Sequence, residues 1–183
     1  MSSSDASTET NSAASTSSTA PAPASLPGPR GAGPYRVIMV CTGNICRSAM
    51  AEIVLRDRLA AAGIPDSGPG GVTVTSAGVS DEERGNPIDS RARRVLTEAG
   101  YGVGADDVSR ATGIAIASHT AHRVTDAEIT EADLLLAMTD SHWNVLQRRA
   151  ASLGAEPDRI RMYRELDPAC AQDAEAVTGG ESS

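Results

Sequence analysis

Val37-Ile-Met-Val-Cys41-Thr-Gly-Asn-Ile-Cys-Arg47-Ser48-Ala-Met-Ala-Glu52 passes from strand to loop to helix within sixteen residues. Val37 to Val40 are continuously apolar and rich in β-branched side chains, a run too short for a helix and suited to a buried strand. Beyond Ser48, Met50, Ile53, Val54 and Leu59 recur at helical spacing, with Glu52, Arg56, Asp57 and Arg58 on the other side. Gly43 and Asn44, the residue types that most easily take a positive φ, lie in the turn between them. Such a turn, closing onto a helix N-terminus, points successive backbone N–H groups inward and adds the positive end of the helix dipole, which suits a dianion.

The side chains in this turn form one chemical set. Cys41 ends the strand at the floor of the loop, where a positive field favours a nucleophilic thiolate. Arg47 offers a planar fork for two oxygens of a phosphoryl group, a geometry that lysine lacks. The Ser48 hydroxyl can donate to the cysteine sulfur and improve it as a leaving group. A structural cysteine beside a serine-capped helix is the simpler reading for a lone cysteine, but five residue types in register at one strand-to-helix turn point to phosphoryl chemistry.

Val-Cys-Thr-Gly-Asn-Ile-Cys-Arg-Ser-Ala-Met-Ala-Glu closely resembles the signature of the low-molecular-weight protein tyrosine phosphatases, and the resemblance extends from about Tyr35 to Pro168. It implies a small doubly wound α/β domain, Rossmann-like and of the phosphotyrosine phosphatase I type, a cysteinyl-phosphate intermediate, and neither metal nor other cofactor. By the same resemblance Cys41 is the nucleophile and Arg47 the phosphate clamp. Thr42, Gly43, Asn44, Ile45, Cys46 and Ser48 bind substrate, Asn44 shaping the loop and Ser48 stabilising the thiolate. Cys46 is the neighbour able to form a protective disulfide with Cys41. Ile45 is similar to the tyrosine-specific members, whereas relatives acting on phosphoarginine carry threonine there. The implied partners are phosphotyrosine-containing proteins, tyrosine kinases of polysaccharide export among them.

Composition limits the alternatives. Residues 1–33 are almost entirely Ser, Thr, Ala, Pro and Gly without a periodic apolar face, and are expected to be a disordered tail. They lack the apolar core of a secretory signal and the arginines of a transit peptide, and no apolar run in the chain is long enough to span a membrane. A net charge of −8 argues against nucleic acid or an anionic membrane as partner. Three cysteines, two of them in the anion loop, fit neither a disulfide framework nor a paired zinc site, so a reducing cytoplasm and a monomer are expected.

Residues 34–168 are expected to form the phosphatase-like domain. Val72 to Ala77 alternates as a strand, and strand, helix, strand is a right-handed crossover that places both strand ends on one sheet edge. Pro87 to Ala99 reads as a helix ended by Gly100, and 102–118 as an irregular connection. His119 and His122 have no third ligand nearby and read as surface or capping residues. Asp133 to Met138 should be a central strand, Asp140 to Leu153 a helix with Trp143, Leu146, Ala150 and Leu153 inward, and Arg159 to Met162 the last of about four parallel strands with helices on both faces.

Two departures from the family pattern stand out. Glu82 occupies a position where bacterial members often carry an aromatic that walls the cleft. Asp167-Pro168 offers the general acid, but Ala169 and Cys170 stand where the family has two aromatics, and the chain contains no Phe. Residues 169–183 therefore read as an atypical, truncated C-terminal segment. Asp167 is either the acid that protonates the leaving oxygen or an ordinary Asp-Pro turn. Two alternatives to a phosphotyrosine phosphatase follow: an arsenate reductase on the same scaffold, which needs a later cysteine pair where only Cys170 is present, and a phosphate-binding protein lacking its acid.

Overall fold

The computed structural model describes residues 25–167. Four strands, β1 (Tyr35–Cys41), β2 (Val72–Gly78), β3 (Leu134–Ala137) and β4 (Ile160–Met162), form one parallel sheet in the order β2-β1-β3-β4. Five helices accompany them: α1 (Arg47–Ala61), α2 (Ser90–Glu98), α3 (Asp107–Ser118), α4 (Asp126–Glu131) and α5 (Asp140–Leu153). This is the doubly wound α/β sheet expected.

Because side chains alternate across a strand, β1 serves both faces. Val37 and Met39 pack with Val74, Leu134 and Leu136 against Ala51, Leu55 and Leu59 of α1. Ile38 and Val40 pack with Leu135, Ala137 and Ile160 against Ile129 of α4 and Leu146 and Ala150 of α5. A third cluster joins Ala49 and Ile53 of α1 to Ala92 and Leu96 of α2 and Ile116 of α3. The continuous apolar run of β1 therefore reflects burial from both sides.

Three readings need correction. Residues 107–118 form α3 rather than an irregular connection: Asp106 accepts from the Ser109 N–H as N-cap, and Thr112 and Ile116 are buried one turn apart. Gly113 in its middle weakens the helical signal, yet its backbone lies against Gly102, where a Cβ would come within 2.9 Å of the Gly113 Cα. On α5 the buried row is His142, Leu146 and Ala150, at strict four-residue spacing, with Trp143 partly buried against the same core as expected, while Leu153 is 36 % exposed. The helix expected from Pro87 starts at Ser90, since the Asp89 carboxylate accepts from the Arg91 and Ala92 N–H groups.

Residues 25–33 have no helix or strand, but Arg30 donates its backbone N–H to Asp133 (2.6 Å) and its guanidinium to the Ala132 carbonyl and Glu156. Pro27 and Gly28 accept from Tyr35 and Arg159. Residues 1–24 of the expected tail, and the segment from Pro168 to Ser183, lie outside the described residues.

Gly78 ends β2 opposite Cys41, and a Cβ there would stand 2.5 Å from the Thr42 carbonyl oxygen and 3.2 Å from the Asn44 nitrogen. Both are backbone atoms and cannot rotate away. Gly78→Ala is expected to lower stability by about 1–3 kcal/mol, read as a lower urea midpoint; an unchanged midpoint would show that the loop yields freely.

Candidate active site

Cys41 is the last residue of β1, Arg47 the first of α1, and the loop between them is fastened from outside through its carbonyls. The Cys41 and Thr42 carbonyls accept from the Val79 and Ser80 N–H groups (2.9 and 3.0 Å), and the Ile45 carbonyl accepts from the Asp89 N–H (2.8 Å). His119 Nε2 donates to the Asn44 carbonyl (2.7 Å). In a trans peptide C=O and N–H point oppositely, so turning these carbonyls outward turns the N–H groups of Thr42, Gly43, Ile45 and Cys46 toward the loop's interior. N–H groups gathered in this way suit an anion.

Asn44 makes the curvature possible and holds it. It is the one described non-glycine residue with positive φ (60°), it is fully buried, and every polar atom of its side chain is engaged. Nδ2 donates to Ser48 Oγ (3.1 Å) and Ser76 Oγ (2.8 Å), and Oδ1 accepts from the His122 backbone N–H (3.2 Å). Ser76 in turn donates to Glu52 (2.6 Å), which pairs with Arg56 one turn along α1.

Ser48 caps nothing; its buried hydroxyl lies 3.0 Å from Cys41 Sγ and 3.3 Å from the Ala77 carbonyl. Asn44 donates to this hydroxyl, so its single proton goes to a thiolate when Cys41 is ionised and to Ala77 when the thiol itself donates. Cys41 is 3 % exposed and Cys46 is open to solvent; both are free thiols.

On the other flank, Thr42 Oγ1 lies 2.9 Å from Nε2 of buried His142, whose Nδ1 meets Thr139 Oγ1 at 3.0 Å. Arg47 donates to the same Thr42 oxygen at 3.4 Å. Burial, and then the Arg47 charge, push the His142 imidazole below its ordinary value, so it bridges the two threonines as a neutral ring.

The structure thus brings Cys41, Thr42, Gly43, Ile45, Cys46 and Arg47 around one cleft of about 220 Å³, which Glu82 and Glu83 also line. Asn44 and Ser48 lie beneath it. Asp167 follows a 3-10 turn (Tyr163–Leu166), is exposed, and is not among the residues lining the cleft. His119 and His122, read as surface or capping residues, are fasteners of the loop, while Ser76 and His142 carried no signal in the sequence. Their roles depend on which backbone or side-chain group each meets, which spacing along the chain does not encode.

Known proteins resemble this chain in sequence and fold. The family described as low molecular weight phosphotyrosine protein phosphatase matches residues 36–111. A low molecular weight protein-tyrosine-phosphatase of Streptomyces coelicolor is 35 % identical over 137 residues, covering 75 % of this chain and 72 % of its own length. This chain belongs to the low-molecular-weight protein-tyrosine-phosphatase family. The solved structure of a member from T. tengcongensis matches with a TM-score of 0.55 and 32 % identity, covering 72 % of this chain and 74 % of that one. The YwlE arginine phosphatase, solved as a Cys-to-Ser mutant with a phosphorylated active-site serine, matches with a TM-score of 0.52 and 26 % identity, over 81 % and 75 % of the two chains.

Behind the loop, His122 Nε2 meets Glu128 at 2.8 Å. The bond to Glu128 raises the imidazole above its ordinary value against the effect of burial. Burial pushes the Glu128 carboxyl up, but bonds from His122 and Thr125 outweigh it and leave it lowered. His122's contribution to stability is therefore complete below its ordinary value of 6.5 and lost as pH rises through the raised one. Glu128's contribution is complete above 4.5 and lost as pH falls through the lowered one. Both groups are partly solvated, so His122→Gln should remove less than about 1 kcal/mol, and only at pH below the raised imidazole value. Urea unfolding of the two proteins across pH 5 to 8 checks this; a difference growing toward pH 8 would contradict the sign.

Proposed function

We propose that this chain hydrolyses phosphotyrosine in proteins through a cysteinyl-phosphate intermediate. The observation that carries the reading is Cys41 Sγ at 3.0 Å from the buried Ser48 hydroxyl, on the floor of a loop whose peptides present their N–H groups inward. In the first step the thiolate attacks phosphorus in line with the tyrosine oxygen; an S–P bond forms and the P–O bond to tyrosine breaks. The inward N–H groups and the Arg47 guanidinium hold the equatorial oxygens as charge shifts in the transition state. Water then attacks phosphorus, phosphate leaves, and Ser48 donates to the departing thiolate. The phosphorylated serine of the structurally similar arginine phosphatase supports an enzyme-bound phosphoryl group at this position.

Ile45 lines the cleft, which favours phosphotyrosine over phosphoarginine by the family pattern, and the matching phosphatases favour neither an arsenate reductase nor a binding protein without turnover. We assign the phosphatase domain to the stretch ending near Pro168, with tyrosine kinases of polysaccharide export among its partners. No helix among the described residues is long and apolar enough to cross a membrane. The reading places the enzyme in the cytoplasm, where Cys41 and Cys46 stay reduced until an oxidant joins them.

The leaving phenolate needs a proton. Asp167 is the carboxylate the Asp-Pro pattern offers, and since it does not line the cleft, turnover should rise steeply as the leaving phenol becomes more acidic. A shallow dependence that Asp167→Asn makes steep would instead assign Asp167 as the acid. Cys41→Ser should abolish hydrolysis of aryl phosphates, and Arg47→Lys should lower kcat/KM by about 10²-fold. Undiminished turnover by the serine variant overturns the proposal.

A further inference from the structure

We propose that Glu82 and Glu83 form an acidic lip that selects phosphotyrosine sites flanked by lysine or arginine. The inference rests on the phosphatase reading and names its substrate class. The anion loop with Arg47 and these two glutamates line the same cleft. They are seated there by the backbone. The Ser80 N–H donates to the Thr42 carbonyl (3.0 Å), the Gly85 N–H to the Ala121 carbonyl (2.8 Å), and the intervening turn closes through the Arg84 and Asn86 N–H groups to the carbonyls of Asp81 and Glu83.

Within this turn each side chain is committed differently. The stem of Glu83 crosses the anion loop so closely that a Cβ on Gly43 would come within 2.7 Å of the Glu83 Cγ. Its carboxylate accepts from Asn86 Nδ2 (2.7 Å), a neutral donor that orients the charge without cancelling it. The adjacent Arg84 is engaged by Asp81 (2.8 Å). Glu82 is exposed, and neither glutamate has an ion-pair partner among the described residues.

The consequence follows from Coulomb's law at short range. A phosphotyrosine must carry its dianion past two carboxylates before the loop neutralises it, and Arg47 and the inward N–H groups are then occupied by phosphate. The lip faces whatever flanks the tyrosine. A flanking lysine or arginine pairs with it, whereas a flanking glutamate adds like-charge repulsion over distances below the Debye length of about 8 Å. The net charge of −8 on the whole chain pushes the same way at longer range.

The test measures kcat/KM of the full chain on two phosphotyrosyl peptides of equal length, one with arginine and one with glutamate flanks, beside a small aryl phosphate. The arginine peptide should be preferred about tenfold at low ionic strength, and the preference should shrink at high ionic strength. It should fall close to one in a Glu82→Gln, Glu83→Gln double variant and persist in Glu98→Gln, which alters net charge at the last residue of α2, outside the cleft lining. A ratio near one in the unaltered protein, or a preference kept by the double variant or lost equally in Glu98→Gln, overturns the lip. Inactivity on all three substrates overturns the phosphatase reading instead. The same peptides carrying a nonhydrolysable phosphonate then read the lip by affinity, with the same expected ratio and the same overturning result.

Discussion

The carbonyls of the anion loop are the constraint on which the rest of the site depends. A ring of inward N–H groups is unfavourable by itself, since it gathers like partial charges and leaves the opposite carbonyls to be satisfied elsewhere. Here the carbonyls of Cys41, Thr42, Asn44 and Ile45 find donors on Val79, Ser80, His119 and Asp89. Those donors come from the end of β2, the stretch before α2 and the stretch after α3. The sheet edge, two connections and one buried asparagine are thus parts of one hydrogen-bonded frame.

How far this was legible in the sequence differs by element. The apolar run from Val37 to Val40 and the helical spacing after Ser48 betray β1 and α1 because burial and periodicity are local properties of the chain. α5 is legible for the same reason, with Gly154 at φ +66° ending it as a left-handed cap. α3 was missed because its signal is a capping aspartate followed by small residues and a glycine, a composition equally at home in a loop. Thr125 and Glu128 form a complete capping box for α4, whose six residues are too few to show helical periodicity.

The site shows the same divide. Cys41, Thr42, Gly43, Asn44, Ile45, Cys46, Arg47 and Ser48 sit within eight positions of one another, so the fold has only to curl one loop to assemble them. The residues that hold them, Ser76, His119, His122 and His142, come from three separate stretches, β2, the connection after α3 and α5, and meet the loop only in the folded chain. The three histidines also carry different assignments from their surroundings. His119 donates to a carbonyl, His122 is biased toward its charged form by Glu128, and burial with Arg47 nearby biases His142 toward its neutral form.

Asp133, at the opposite end of the sheet, ties the residues before β1 to the rest of the fold. It is 4 % exposed, and its two carboxylate oxygens accept the backbone N–H groups of Arg30 (2.6 Å) and Arg36 (2.7 Å), with the Arg159 guanidinium close by. One of those donors belongs to a stretch of Pro and Gly with no regular structure. Chain that looks dispensable by hydropathy is therefore part of the solvation shell of a buried anion. Drift in length across Pro27 to Arg30 should be resisted in evolution, because each loss there strips a hydrogen bond from Tyr35, from the Arg159 guanidinium or from a carboxylate that water cannot readily reach.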